Sequence, residues 1–190
     1  MDTPFEQFKI WQRSSWLYWV YAKLTFASQP YRDDTFEATQ IVENLWVGDK
    51  RSPCNEDSLK NNNINMIITV VLGATAYFPF DFKYEKADLR DMDGENILDE
   101  ITRLLPIIRD EIENNRGVLV HCMQGASRSV TVVAAYLIKY HDMSADTALE
   151  FMKKKRSCVN PNQGYRDQLD LFEQHVRREN REIIRNKKLE

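Results

Sequence analysis

The 190-residue chain has little cysteine or histidine, three of each, and neither set is spaced for a structural role. Cys54, Cys122 and Cys158 are an odd number without a Cys-x-x-Cys pair, which argues against a disulfide framework and a zinc site. His121, His141 and His175 lack the spacing of metal ligands, so no metal or cofactor is expected. No apolar run suffices to cross a bilayer: the strongest, residues 16–26, is short and broken by Lys23. The start of the chain lacks a basic stretch ahead of an apolar core, so no signal peptide is expected. Repeats and low-complexity tracts are missing as well. The formal net charge is only −3, which gives no general case for nucleic-acid binding. What remains is an ordinary globular composition, 43% hydrophobic and 29% charged, long enough for one domain with an appended segment.

One stretch stands out. Gly117-Val118-Leu119-Val120 reads as a buried strand and residues 130–140 as a helix. Between them lies a short loop with Cys122, Gly125 and, six residues after the cysteine, Arg128. Strand, tight loop and helix together build an anion site, because loop N–H groups and the positive end of the helix dipole face one point. Gly125 lets the loop turn without a Cβ in the way. Arg128 can grip two oxygens of a tetrahedral oxyanion with its planar fork. Thiols at a helix N-terminus beside a guanidinium ionise readily, and a thiolate below a bound phosphate is a nucleophile aimed at phosphorus. A working thiolate needs a reducing compartment, so an intracellular, cytoplasmic location is expected.

Around this centre, residues 39–49 read as two short strands about a turn at Glu43-Asn44, residues 54–61 as a short helix and residues 64–71 as a buried strand. The aromatic stretch 74–82 reads as core cover rather than as a wall of the site. Residues 84–89 read as a strand leading into the acidic loop 90–97, with a helix over 98–115. Ser144 is an N-cap for a helix ending in Lys153-Lys154-Lys155-Arg156, read as a solvated end that suits the dipole. The final helix is expected from Tyr165 to about Arg178, with a charged, extended or fraying helical tail beyond. At the other end, Phe8, Trp11, Tyr18 and Ala22 recur near helical spacing and predict a helix over 4–24. Its aromatics nearly encircle it between residues 16 and 21, which leaves three readings: docking on the chain's own domain, a homodimer through this helix, or peripheral membrane contact.

The residues His121-Cys122-x-x-Gly125-x-x-Arg128-Ser129 resemble the signature of the cysteine-dependent protein tyrosine phosphatases, and the wider pattern is most similar to the dual-specificity phosphatases. Residues 39–49 resemble the opening of that domain, and Pro161-Asn162-Gln163-Gly164-Tyr165 resembles the turn that supports the phosphate site from behind. Some poxvirus members are similar in carrying an N-terminal helix that makes a dimer. The resemblance implies an α/β fold, a mixed but mostly parallel sheet of about five strands flanked by helices. It divides the chain into an N-terminal helix and linker (1–36), a catalytic domain (37–178) and a charged tail (179–190). It also implies roles. Cys122 is the nucleophile, and Arg128 binds phosphate with the backbone of Met123, Gln124, Gly125, Ala126 and Ser127. Ser129 donates to the expelled sulfur, and His121 and Asn162 support the loop. Counting back from Asn96-Ile97 places the general acid at Asp91, with Asp93 the runner-up and Asp88 ending the strand. The loop's variable residues carry no charge, unlike those of inositide phosphatases, and residues 123–130 depart from the RNA 5′-triphosphatase pattern. Phosphorylated proteins are therefore the expected substrates, on tyrosine and on serine or threonine. RNA or phosphoinositide phosphatase activity and a non-catalytic phosphoprotein-binding module are the alternatives.

Overall fold

The computed structural model describes residues 35–187, so the helix expected over 4–24 lies outside the described residues. Five strands form one sheet: β1 (Ala38–Val42), β2 (Leu45–Gly48), β3 (Ile64–Thr69), β4 (Lys83–Lys86) and β5 (Gly117–His121), in the order β1-β2-β5-β3-β4. β1 and β2 form an antiparallel hairpin, and every other pairing is parallel. The hairpin turns at Glu43-Asn44 as expected, with Asn44 at φ 59°, a left-handed geometry that asparagine tolerates. A 3-10 turn (Ser52–Cys54) and helix α1 (Glu56–Asn61) follow β2. Helices α2 (Leu98–Glu113), α3 (Arg128–His141), α4 (Ala145–Lys155) and α5 (Gln163–Lys187) complete the described chain. The result is the mixed, mostly parallel α/β architecture that the sequence implies.

The core explains which strand holds the chemistry. β5 is buried along its whole length, as befits a central strand with helices on both faces. α2 buries Ile101, Leu104, Leu105 and Ile108, the i, i+3, i+4, i+7 stripe of an amphipathic helix. α3 is buried from Arg128 to Ile138 on all sides, packed against β2, β5, α2, α4 and α5. The aromatic stretch does cover core: Phe82 is buried in a cluster with Leu59, Ile64, Ile67 and Leu119, and Phe78 packs on it.

One strand differs from the sequence reading, and one helix fills in what that reading left open. β4 ends at Lys86 rather than Leu89: Ala87 N still donates to Thr69 O of β3 (3.0 Å), but Leu89 O accepts from Arg128 Nη1 of α3 at 3.2 Å. α5 continues to Lys187, well past Val176, its last buried apolar residue. Helix-favouring Arg and Glu and the i,i+4 pairs Arg177–Glu173 (2.6 Å) and His175–Glu179 (3.2 Å) suit that extension. Among the described residues, no helix is long and apolar enough to cross a membrane.

Candidate active site

Cys122 follows directly on β5 and is 1% exposed. Its N–H donates to Gly48 O (3.3 Å), and α3 begins six residues on, at Arg128 itself. The carbonyls between them are all bound from outside the loop. Met123 O accepts from Lys50 N (3.2 Å) and Ala126 O from Asn160 N (2.8 Å). Gln124 O accepts from Arg156 Nη2 (3.3 Å) and Gly125 O from Arg156 Nε (2.9 Å). A peptide unit is planar and trans, so a carbonyl held outward turns the following N–H inward. The N–H groups of Gln124, Gly125, Ala126 and Ser127 thereby face the inside of the loop, and none donates to a backbone carbonyl among the described residues. That is an oxyanion cradle. It depends on glycine at one point: Gly125 has φ +64°, and a Cβ there would lie 2.6 Å from Arg156 Nη2 and 2.7 Å from Gly48 O.

Arg128 lies against the cradle, 7% exposed, with Nη1 donating to Leu89 O. Its Nε is buried without a hydrogen-bond partner, 3.6 Å from Asp91 Oδ2. A buried charged donor left unmet is costly, and a bound phosphate oxygen would satisfy it. Ser129 Oγ donates to Cys122 Sγ at 3.2 Å from inside the first turn of α3. His121 sits one residue earlier, its Nε2 2.9 Å from Thr69 Oγ1. Burial pushes its pKa down to about 4, so the imidazole is neutral and braces β5 against β3.

Of the three carboxylates named for the acid, the fold brings one to the loop. Asp91 Oδ1 accepts from Ser127 Oγ (2.6 Å) and Asn162 Nδ2 (2.9 Å). Asp93 instead accepts from Gly164 N (3.2 Å) at the start of α5, and Asp88 from Gly73 N (3.1 Å) at the exit of β3. Asn162 joins both loops. Besides Asp91, its backbone N–H donates to Ser127 Oγ (3.3 Å), while its Oδ1 accepts from Tyr165 N (2.9 Å).

Sequence reasoning missed Arg156. Lys153, Lys154 and Lys155 are exposed, as a solvated helix end should be, but Arg156 turns inward. Besides two loop carbonyls, it reaches Thr39 Oγ1 (3.2 Å) and Glu37 O (3.4 Å) through Nη1, tying the cradle to the first strand. Nothing in a run of four cations marks the fourth as different. The Ser127 hydroxyl and Tyr165, which donates from its OH to Arg90 O, were also read without these partners. Cys54, Cys122 and Cys158 all stand as free thiols. Among the described residues, no group of three or more His, Cys, Asp and Glu side chains is placed to hold a metal ion.

Comparison with known proteins bears on this geometry. Residues 45–175 match the family model of the dual specificity phosphatase catalytic domain. The chain is 33% identical over 149 residues to dual specificity protein phosphatase 1B of Arabidopsis thaliana, covering 78% of this chain and 89% of that protein. It is 35% identical over 144 residues to dual specificity protein phosphatase 9 of Homo sapiens, covering 75% of this chain and 38% of that one. Among solved structures, the human tyrosine phosphatase-like serine/threonine/tyrosine-interacting protein superposes with a TM-score of 0.71 at 27% identity, over 73% of this chain and 97% of the other. With the cysteine, the arginine and the outward-bound loop carbonyls in place, the chain belongs to the dual specificity phosphatase family and is a protein phosphatase.

Proposed function

We propose that this phosphatase hydrolyses phosphotyrosine and phosphoserine or phosphothreonine on proteins through a phosphocysteine intermediate, without a metal ion. The Cys122 thiolate attacks phosphorus in line, an S–P bond forms, and the P–O bond to the side chain breaks. Asp91 protonates the departing oxygen, a transfer worth about 10²–10⁴-fold. Water then attacks the phosphocysteine, giving its proton to Asp91 as phosphate leaves and the thiolate is restored. The loose transition state spreads charge over the equatorial oxygens, and the inward amides and Arg128 are already in place to meet it. Ser129 Oγ, 3.2 Å from the sulfur, steadies the thiolate as it is expelled.

The observation carrying this reading is the tie between the two loops: Asp91 is bonded to Ser127 and faces Arg128, so acid and cradle are held as one unit. The uncharged side chains of Met123, Gln124 and Ala126 support a single-phosphate protein substrate over a multiply phosphorylated lipid. The thiolate chemistry fits a reducing, intracellular compartment.

Cys122→Ser is expected to abolish hydrolysis of an aryl phosphate while vanadate still binds. Brief reaction with labelled substrate, acid quench and peptide mapping should place the phosphate on Cys122. Label on any other residue refutes the mechanism. A panel of phosphopeptides, phosphoinositides and triphosphorylated RNA then tests the substrate class, which fails if either non-protein substrate is turned over fastest.

A further inference from the structure

The acid loop between β4 and α2 has little packing on one side. A cavity of about 310 Å³, lined by Asp88, Leu89, Arg90, Glu95 and Asn96 of the loop and by Asp99 of α2, lies against it. Met92, Asp93 and Gly94 are exposed. Apolar contact therefore cannot hold Asp91 in place by itself, and the loop is fastened by hydrogen bonds instead, four of them to the first turns of α5. Before the acid, Arg90 O accepts from Tyr165 OH. After it, Gly164 N donates to Asp93, and a Cβ on Gly164 would lie 1.9 Å from Asp93 O, so α5 and the loop meet backbone to backbone.

The last fastening is one side chain. Gln168 Nε2 donates to Glu95 O (2.9 Å) while its Oε1 accepts from Ile97 N (2.9 Å). The primary amide thus pairs with the C=O of one residue and the N–H of the second residue on, as a neighbouring strand would. A further bond, Nε2 to Gly164 O (3.1 Å), fixes the amide on its own helix. The bonded N–H belongs to fully buried Ile97, the residue immediately before α2, whose own side chain caps none of the helix's N–H groups. Removing the amide would leave the Ile97 N–H and the Glu95 carbonyl unmet at the point where the loop joins its helix.

We propose that Gln168 is a positioning residue for the general acid: it clamps the loop to α5 so that Asp91 stays beside Ser127 and Arg128. The inference rests on Asp91 being the acid, and it assigns no contact between Gln168 and substrate. Its consequence is selective. A misplaced acid matters when the leaving oxygen is basic and hardly at all when the leaving group departs unaided. A damaged phosphate cradle would slow every substrate alike.

The test is kcat/KM for a series of aryl phosphates of graded leaving-group pKa, measured on the full chain. This ratio reports the phosphoryl transfer to Cys122. Gln168→Leu is expected to lose about tenfold with the most basic leaving group and less than about twofold with the most acidic, steepening the dependence. Gln168→Glu keeps an acceptor for Ile97 N–H and forfeits the donor, so its slope should fall between Gln168→Leu and the parent. It also carries the test if the leucine variant does not fold. Asp91→Asn, measured alongside, should show the steepest slope of all. An equal loss across the series, or none, overturns the clamp. A flat Asp91→Asn series overturns the acid assignment itself, and with it the clamp; a steep one beside a flat Gln168→Leu overturns the clamp alone.

Discussion

The two ends of the parallel strands treat buried charge in opposite ways. At their N-terminal ends, Glu111 of α2 is 2% exposed and fully engaged. It accepts from Asn65 Nδ2 (2.8 Å) on β3, Lys83 Nζ (2.8 Å) on β4 and Arg116 Nε (2.6 Å) just before β5. At the C-terminal ends, Arg128 is almost as buried, yet its Nε lacks a hydrogen bond and the amides beside it face inward. One end is a closed network that holds three elements in register. The other is left incomplete, with a buried donor unmet, as the proposed phosphate site requires. Burial alone does not separate a structural charge from a functional one; the state of its partners does.

The sharpest way to break this contrast is at the functional end. Asp91→Asn should lower kcat/KM for a phosphate ester with a basic leaving group by about 10²–10⁴-fold, with little change in the urea midpoint. Asp93→Asn, which keeps an oxygen to accept from Gly164 and touches nothing at the cradle, should change the rate by less than about threefold. The reverse ranking would move the acid to Asp93.

At the structural end the effect should fall on stability. Glu111→Ala removes the hydrogen bonds that join Asn65, Lys83 and Arg116 and should cost about 1–3 kcal/mol in urea unfolding, leaving the kcat/KM of the folded protein close to the parent. The same site sets a pH dependence. Burial raises the Glu111 pKa, but hydrogen bonds from Arg116, Lys83 and Asn65 outweigh it and bring it down to about 2. The unfolded carboxyl titrates near 4.3, so the unfolded state takes up the proton first as the pH falls. The stabilisation is complete above about pH 5 and is lost on acidification toward pH 2, an amount of about 3 kcal/mol. Glu111→Gln should flatten that part of the stability profile, and an unchanged acid limb would place its origin elsewhere.

A more modest effect tests where the two behaviours meet. Arg156 is fully engaged, like Glu111, yet its partners are the cradle's own carbonyls. Arg156→Ala should weaken vanadate inhibition and kcat/KM together by about tenfold, with no dependence on leaving group. Loss of stability with vanadate affinity unchanged would assign it to the structural class.

Much of this was legible in the sequence because it is local. Cys122, Gly125, Arg128 and Ser129 lie within eight consecutive positions, and the strand and helix around them follow from the apolar pattern of the same segment. Asp91 was reachable only through family spacing, since the composition of the acidic loop does not rank Asp91 above Asp93. Arg156 and Gln168 were not reachable, because their partners are carbonyls and amides 31 and 73 positions away, which carry no residue identity. The exact end of β4 was missed for a related reason. Residues 87–89 have strand-like composition, but Leu89 O accepts from Arg128, 39 positions away, a partner that exists only once α3 is packed.

By itself the sequence determined the order of strands and helices along the described chain and the place of Cys122 between a strand and a helix, because periodicity and near-neighbour chemistry act along the chain. Only the tertiary structure decided which carboxylate meets residues 122–128, which cation bonds their carbonyls and which amide bonds the loop before α2. Those choices depend on backbone groups made neighbours by folding, and a hydrogen bond to a peptide group leaves almost no mark on the sequence that supplies it.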